Sequence, residues 1–148
     1  MTRDTIEREM TLTAPIQRVW QAITDPQEVS EWFGVQAEID LRPGGRIVFG
    51  WAEGRFLARV EEVAPPTRFA YRWCLARDTE VDAGPTTLVT FSLEPSNGGT
   101  RLRLVESGFA SLPAEVRDKH LSENTEGWAE ELGELAKYIE ANAPGGQG

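Results

Sequence analysis

Leu121, Trp128, Leu132, Leu135 and Ile139 follow one another at spacings of seven, four, three and four, with mostly acidic residues between them. That rhythm keeps one face of a helix apolar and predicts a long amphipathic helix from about Ser122 to Ala141. At the other end of the chain, Ile6, Met10 and Leu12 alternate with Glu7, Glu9 and Thr11, the pattern of a strand with one wet face, and Arg8 interrupts its apolar side. Pro15 suits a first helical turn, and Ile16, Val19, Trp20 and Ile23 then share one face. In Asp25-Pro26-Gln27-Glu28 an N-cap, a first-position proline and an early glutamate predict a second short helix. It carries Val29, Trp32 and Phe33 and ends at Gly34. Residues 111–119 contain a further turn of helix.

From about Ala37 to Gly108 the period changes to two. Ile47, Phe49 and Trp51 share a face, as do Phe56, Ala58 and Val60, then Phe69, Tyr71 and Trp73, then Val89, Phe91 and Leu93, then Leu102 and Leu104. Arg59, Glu61, Arg72, Thr90, Ser92, Arg101 and Arg103 occupy the other side, so the prediction is an antiparallel meander with one solvated face. Pro43-Gly44-Gly45, Pro65-Pro66, Gly84-Pro85 and Asn97-Gly98-Gly99 mark the connections. The whole is an α+β chain in which about six or seven strands face one long helix. Such a sheet and helix either close into solid core or leave a hollow.

The 148 residues suit a single domain over 1–143, followed by a disordered tail over 144–148. The lone Cys74 cannot form an internal disulfide, and the charged start lacks the apolar stretch of a secretory signal, so the chain reads as cytoplasmic. No apolar run reaches the roughly 20 residues of a membrane span. Fifteen basic against twenty-four acidic residues give a net charge of −9, which repels phosphate backbones and anionic headgroups. Nucleic acid is therefore not an expected partner.

Trp20 reads as plain core. Trp32, Trp51, Phe56, Tyr71, Trp73, Phe91, Leu104, Trp128 and Leu132 are aimed at the space between sheet and helix. They either line a binding cavity, where π faces hold a flat hydrophobic guest, or interlock as core. Glu106 continues the alternation of Leu102 and Leu104 and is the one candidate for acid–base or ligand-orienting chemistry. Its plainer readings are a strand end already in solvent or a bond to a turn amide. Arg8 is the other inward polar residue, and an Arg8–Glu106 pair is a hypothesis. With His120 alone there is no histidine pair for a metal, no catalytic triad can be assigned, and no cofactor motif is present. His120 reads as a surface or loop residue before the long helix, and Cys74 as a small residue on the outer face of its strand. Glu123, Glu126, Glu130, Glu131, Glu134 and Glu140 form an acidic outer strip on the helix, either a solvated face or a dock for a basic partner.

Thr13-Ala14-Pro15-Ile16-Gln17-Arg18-Val19-Trp20, Asp25-Pro26, Glu31-Trp32-Phe33, Pro43-Gly44-Gly45, Glu62-Val63-Ala64-Pro65-Pro66, Gly99-Thr100-Arg101-Leu102 and Gly127-Trp128 with Leu132 occur in an order that resembles one family. These are the homologues of the C-terminal domain of the activator of the heat-shock protein 90 ATPase, in the START-like, or SRPBCC, superfamily. The resemblance covers nearly the whole chain. It implies a helix-grip fold, a curved antiparallel sheet wrapped around the C-terminal helix, often around a pocket for an apolar ligand. The function expected first is a non-enzymatic module for a small hydrophobic, aromatic or amphipathic molecule in a cavity between the sheet and the C-terminal helix; the alternatives are a co-chaperone stimulating a heat-shock protein 90 ATPase, although the separate N-terminal activator domain has no counterpart here, and a cyclase-like or hydrolytic enzyme using the same cavity. Family members can dimerise through sheet edges or helices, so a monomer or a homodimer is expected, and the family fixes fold far better than function.

Overall fold

The computed structural model describes residues 4–141. The expected tail over 144–148 lies outside them. In chain order come β1 (Thr5–Leu12), α1 (Ile16–Thr24), α2 (Pro26–Phe33), β2 (Gln36–Ile39), β3 (Arg46–Trp51), β4 (Gly54–Ala64), β5 (Arg68–Cys74), β6 (Thr86–Ser96), β7 (Gly99–Ser107) and α3 (Ala114–Ala141). Short 3-10 turns at Val81–Ala83 and Phe109–Ser111 precede β6 and α3. The seven strands form one antiparallel sheet in the order β1-β7-β6-β5-β4-β3-β2, a meander closed at one edge by the first strand. The sheet curves around α3 in the helix-grip arrangement.

Local chemistry explains the two short helices. Asp25 caps α2, its carboxylate accepting from the Gln27 amide at 2.9 Å, Pro26 starts the helix, and Gly34 ends it at φ +70°. The Trp32 indole donates to the Ala22 carbonyl at 2.8 Å and so locks α2 onto α1. Glu28 is buried and ties three helices together. It accepts from Arg18 of α1 at 2.7 Å and from the Tyr138 hydroxyl of α3 at 2.8 Å.

Register puts the inward side chains in rows. Ile47, Ala58, Trp73 and Thr87 pair across four strands, and Val60, Tyr71, Val89, Glu106 and Ile6 across five. A bulge between Val60 and Glu62 restores Val63 to the inner side opposite Phe69. The β6–β7 hairpin turns at Asn97 and Gly98, both at positive φ, and Gly99 then presses on β1. A Cβ at Gly99 would stand 2.2 Å from the Leu12 carbonyl oxygen, so no side chain fits there. On the far side of the sheet, ion pairs such as Arg59–Glu61, Arg68–Glu62 and Arg101–Glu94 are exposed and worth little each.

Three expectations need correction. The last helix begins at Ala114, about eight residues before the expected start, because the turn foreseen over 111–119 is continuous with it. The outer face of the sheet is not wholly wet: Val48, Leu57 and Cys74 are buried there, and Cys74 is packed against Gly84 beyond the 3-10 turn. Trp20 is only half-buried, set edge-on to Phe69 at 6.3 Å. Among the described residues, no helix is long and apolar enough to cross a membrane, and no group of three or more His, Cys, Asp or Glu side chains is placed to hold a metal ion.

Candidate functional site

Between the middle of the sheet and α3 the rings interlock. Phe69 and Phe91 stack at 6.4 Å, Phe49 and Tyr71 tilt together at 5.7 Å, and Phe91 meets Trp128 edge-on at 6.0 Å. The residual gap among Trp32, Phe33, Phe49, Tyr71 and Phe91 is about 10 Å³, at the lower limit for one water. Leu104 and Leu132 are fully packed in the same core.

Space opens instead where the ends of β3, β4 and β5 meet the first half of α3. A solvent-open cleft of about 420 Å³ lies there. Trp51, Phe56, Trp73 and Leu75 supply its apolar wall, and Lys119, His120, Glu123 and Asn124 its helical rim. Its volume lies in the range of small-molecule sites. A smaller lobe of about 160 Å³ shares Trp51, Trp73, Glu123 and Asn124 with the cleft and extends to Phe33, Gly127, Trp128 and Glu131. Trp128 is sandwiched in its floor, stacked on Phe33 at 6.0 Å and on Trp73 at 5.8 Å. Trp51 stands edge-on to Phe33 and to Phe56.

Glu106 lies directly behind this wall, with no exposed surface. Its carboxylate accepts five hydrogen bonds from four side chains. Trp128 Nε1 donates to Oε1 at 2.8 Å, Trp73 Nε1 and Thr87 Oγ1 donate to Oε2 at 3.0 and 2.5 Å, and Asn124 Nδ2 reaches both oxygens at 3.2 and 3.0 Å. Both plainer expectations for Glu106 are thereby replaced, since it meets neither solvent nor a turn amide. Arg8 does not pair with it. The Arg8 guanidinium turns to α3 and donates to the Thr125 carbonyl at 3.3 Å. Burial, and then the Glu106 charge, hold the Tyr71 phenol well above its ordinary range. Glu106 therefore acts as a joint that fixes Trp73, Asn124 and Trp128, three residues of the cleft and its lobe.

The structure thus divides the candidate residues. Trp51, Phe56 and Trp73 face the cleft and Trp128 the lobe; Glu106 holds Trp73 and Trp128 from behind; Trp32, Tyr71, Phe91, Leu104 and Leu132 are packed in the interior. Sequence reasoning missed Phe33, Leu75, Arg77, Lys119, Asn124 and Gly127. It also put His120 ahead of the helix and Glu123 and Glu131 on a purely outer strip. A usable signal existed: residues 120, 123, 124, 127 and 131 flank the apolar stripe at helical spacing, so they border whatever that stripe covers.

Glu131 illustrates the electrostatics of the rim. Burial, then the charges of Glu130 and Glu134, raise its carboxyl to about 7. Between about 4.5 and about 7 the folded protein keeps a proton that the unfolded chain has released, so stability falls as pH rises through that window. The melting temperature of Glu131→Gln should therefore gain on that of the unaltered protein from pH 4.5 to 7 and hold a constant lead above it. Parallel melting profiles across the window would contradict this assignment.

The comparisons with known proteins agree with this architecture. Residues 13–140 match the family model described as activator of Hsp90 ATPase homolog 1-like protein. No curated protein sequence matches the chain. Among solved structures, DynU16, from the dynemicin biosynthetic locus, superposes with a TM-score of 0.79 at 26% identity, over 97% of this chain and 49% of its own. This chain thus spans about half the length of that protein. MLL2253 from Mesorhizobium loti shares the fold with a TM-score of 0.81 at 24% identity, over 93% of this chain and 98% of its own. CalU16 from Micromonospora echinospora gives 0.70 at 25% identity, over 97% and 78%. With a family match across most of its length and a helix that the sheet grips, the chain belongs to the activator of Hsp90 ATPase homolog 1-like family of the START-like, or SRPBCC, superfamily.

Proposed function

We propose that the protein binds a small amphipathic aromatic molecule, without transforming it, in the cleft at the end of the sheet. The observation that carries this reading is the 420 Å³ opening with one wall of Trp51, Phe56, Trp73 and Leu75 and a polar rim on α3. A wall of that kind excludes water from a flat guest and stacks on it, while the rim orients its polar end. The seat differs from the enclosed hollow that the family resemblance implies, because the interior rings close that space. Binding without turnover is supported by the state of Glu106, whose oxygens are occupied by protein donors behind the wall. The fold likeness to DynU16 adds a setting, a biosynthetic locus, that suits the handling of a small molecule.

Titration with a panel of flat amphipathic aromatics should quench or shift the emission of Trp51 and Trp73 and raise the melting temperature. A ligand present at one hundred times its dissociation constant adds about 2.7 kcal/mol. Phe56→Ala should weaken that binding about tenfold, the loss of one well-placed ring contact of about 1.4 kcal/mol. Unchanged emission and melting across the panel would refute the proposal.

A further inference from the structure

The smaller lobe has a composition of its own. Its aromatic lining is Phe33, Trp51, Trp73 and Trp128, of which Trp51 and Trp73 are only half-buried, and its rim carries two carboxylates, Glu123 and Glu131. Among the described residues neither has an ion-pair or hydrogen-bond partner for its carboxylate, unlike Glu134 of the same helix, which pairs with Lys137. Between them is Gly127. The three positions follow at intervals of four, so they stand one above another, with about 6 Å of helix rise from each to the next. A Cβ at Gly127 would meet nothing within 4 Å, so the missing side chain leaves the space between the two carboxylates empty. Glycine inside a helix costs about 1 kcal/mol relative to alanine, and α3 carries that cost at the point where the lobe opens.

Aromatic rings attract a cation, and the Glu123 carboxylate at the rim, joined by Glu131 once the pH exceeds about 7, neutralises it. A space of about 150 Å³ holds one benzene-sized group, so a lobe of about 160 Å³ holds a substituted ammonium. The net charge of −9 adds a long-range attraction of the same sign. We infer that this lobe is an organic-ammonium subsite, which receives the cationic end of a ligand whose flat body lies in the adjoining cleft. The inference rests on the cleft being a binding site and adds the charge of the ligand to it. The cations of the larger cleft are poorly placed to reverse that preference: Lys119 is exposed, and Arg77 is committed to the Glu53 carbonyl at 2.8 Å.

Three probes of nearly equal shape separate the possibilities: benzyltrimethylammonium, its uncharged carbon isostere neopentylbenzene, and phenylacetate. Tryptophan emission and melting temperature serve as readouts. At a pH above about 7 the ammonium should bind about threefold to fivefold tighter than the isostere, as a solvent-open cation–π contact predicts. Glu123→Gln with Glu131→Gln should erase most of that difference while leaving the isostere unchanged. Gly127→Leu should fill the lobe and abolish ammonium binding, and circular dichroism and the melting temperature will show that α3 is intact. Equal binding of ammonium and isostere, or tighter binding of phenylacetate, would overturn the cation assignment and leave the cleft as a site. Silence of all three probes, together with silence of the wider aromatic panel, would overturn both readings.

Discussion

Replacing Glu106 by alanine should destabilise the protein by about 3–5 kcal/mol, the cost of emptying a buried polar hub together with the cavity it leaves. Trp73 retains one acceptor, the Thr87 hydroxyl at 3.0 Å, whereas Trp128 Nε1 and the Asn124 amide lose every partner they have. The stranded, buried Trp128 donor costs about 1–3 kcal/mol, and the Asn124 amide on the cleft rim, within reach of water, costs less. Glu106→Gln should be far milder, at about 1 kcal/mol. Its oxygen can still accept from Trp128, and its amide can donate to the Thr87 hydroxyl, which accepts as readily as it donates. Chemical denaturation of the two variants measures both values, and near-ultraviolet circular dichroism should report the loosened indoles in the alanine variant alone. The opposing force is real, because the carboxylate is desolvated with no cation in contact among the described residues. If Glu106→Ala were as stable as the unaltered protein, that desolvation would outweigh all five hydrogen bonds, and Glu106 could not be the joint of the wall.

That balance also marks the limit of what the sequence could disclose. Strict alternation through Leu102 and Leu104 was enough to turn Glu106 inward, since a period of two leaves no other choice. Its partners could not be read, because Trp73, Thr87, Asn124 and Trp128 come from β5, β6 and α3, and only the sheet register brings β5 and β6 beside it. The same division runs through the chain. Asp25, Pro26 and Gly34 announce α2 by local chemistry, and the structure repeats them position by position. Glu123 and Glu131 looked like solvated surface because a helical pattern separates apolar from polar without telling which polar residues border a cleft. Alternation after Trp73 turns Cys74 to the outer face, yet its burial depends on the segment around Gly84, which no periodicity signals.

Whether the inward rings would leave a hollow was likewise beyond the pattern, and Phe33 shows why. It closes the interior by meeting Trp32, Phe49, Trp51 and Trp128 at centroid distances of 5.3 to 6.0 Å, and it borders both the lobe and the 10 Å³ interior gap. Nothing in Glu31-Trp32-Phe33 predicts how near the facing sheet will come, for that distance is set by the curvature of all seven strands. Phe33→Ala should therefore do two things at once. It should cost about 3–5 kcal/mol, as truncation of a packed phenylalanine does. It should also remove the partition between lobe and gap and open an apolar recess behind the lobe, of a kind not found among the described residues of the unaltered protein. Benzene at ten times its dissociation constant would then return about 1.4 kcal/mol to the variant, and its benefit should exceed that seen with the unaltered protein. Denaturation with and without benzene measures both effects. A loss below about 1 kcal/mol, or equal benefit to both proteins, would mean that the neighbouring rings collapse into the space, and that the solid centre of this sheet is maintained by the whole aromatic cluster and not by Phe33.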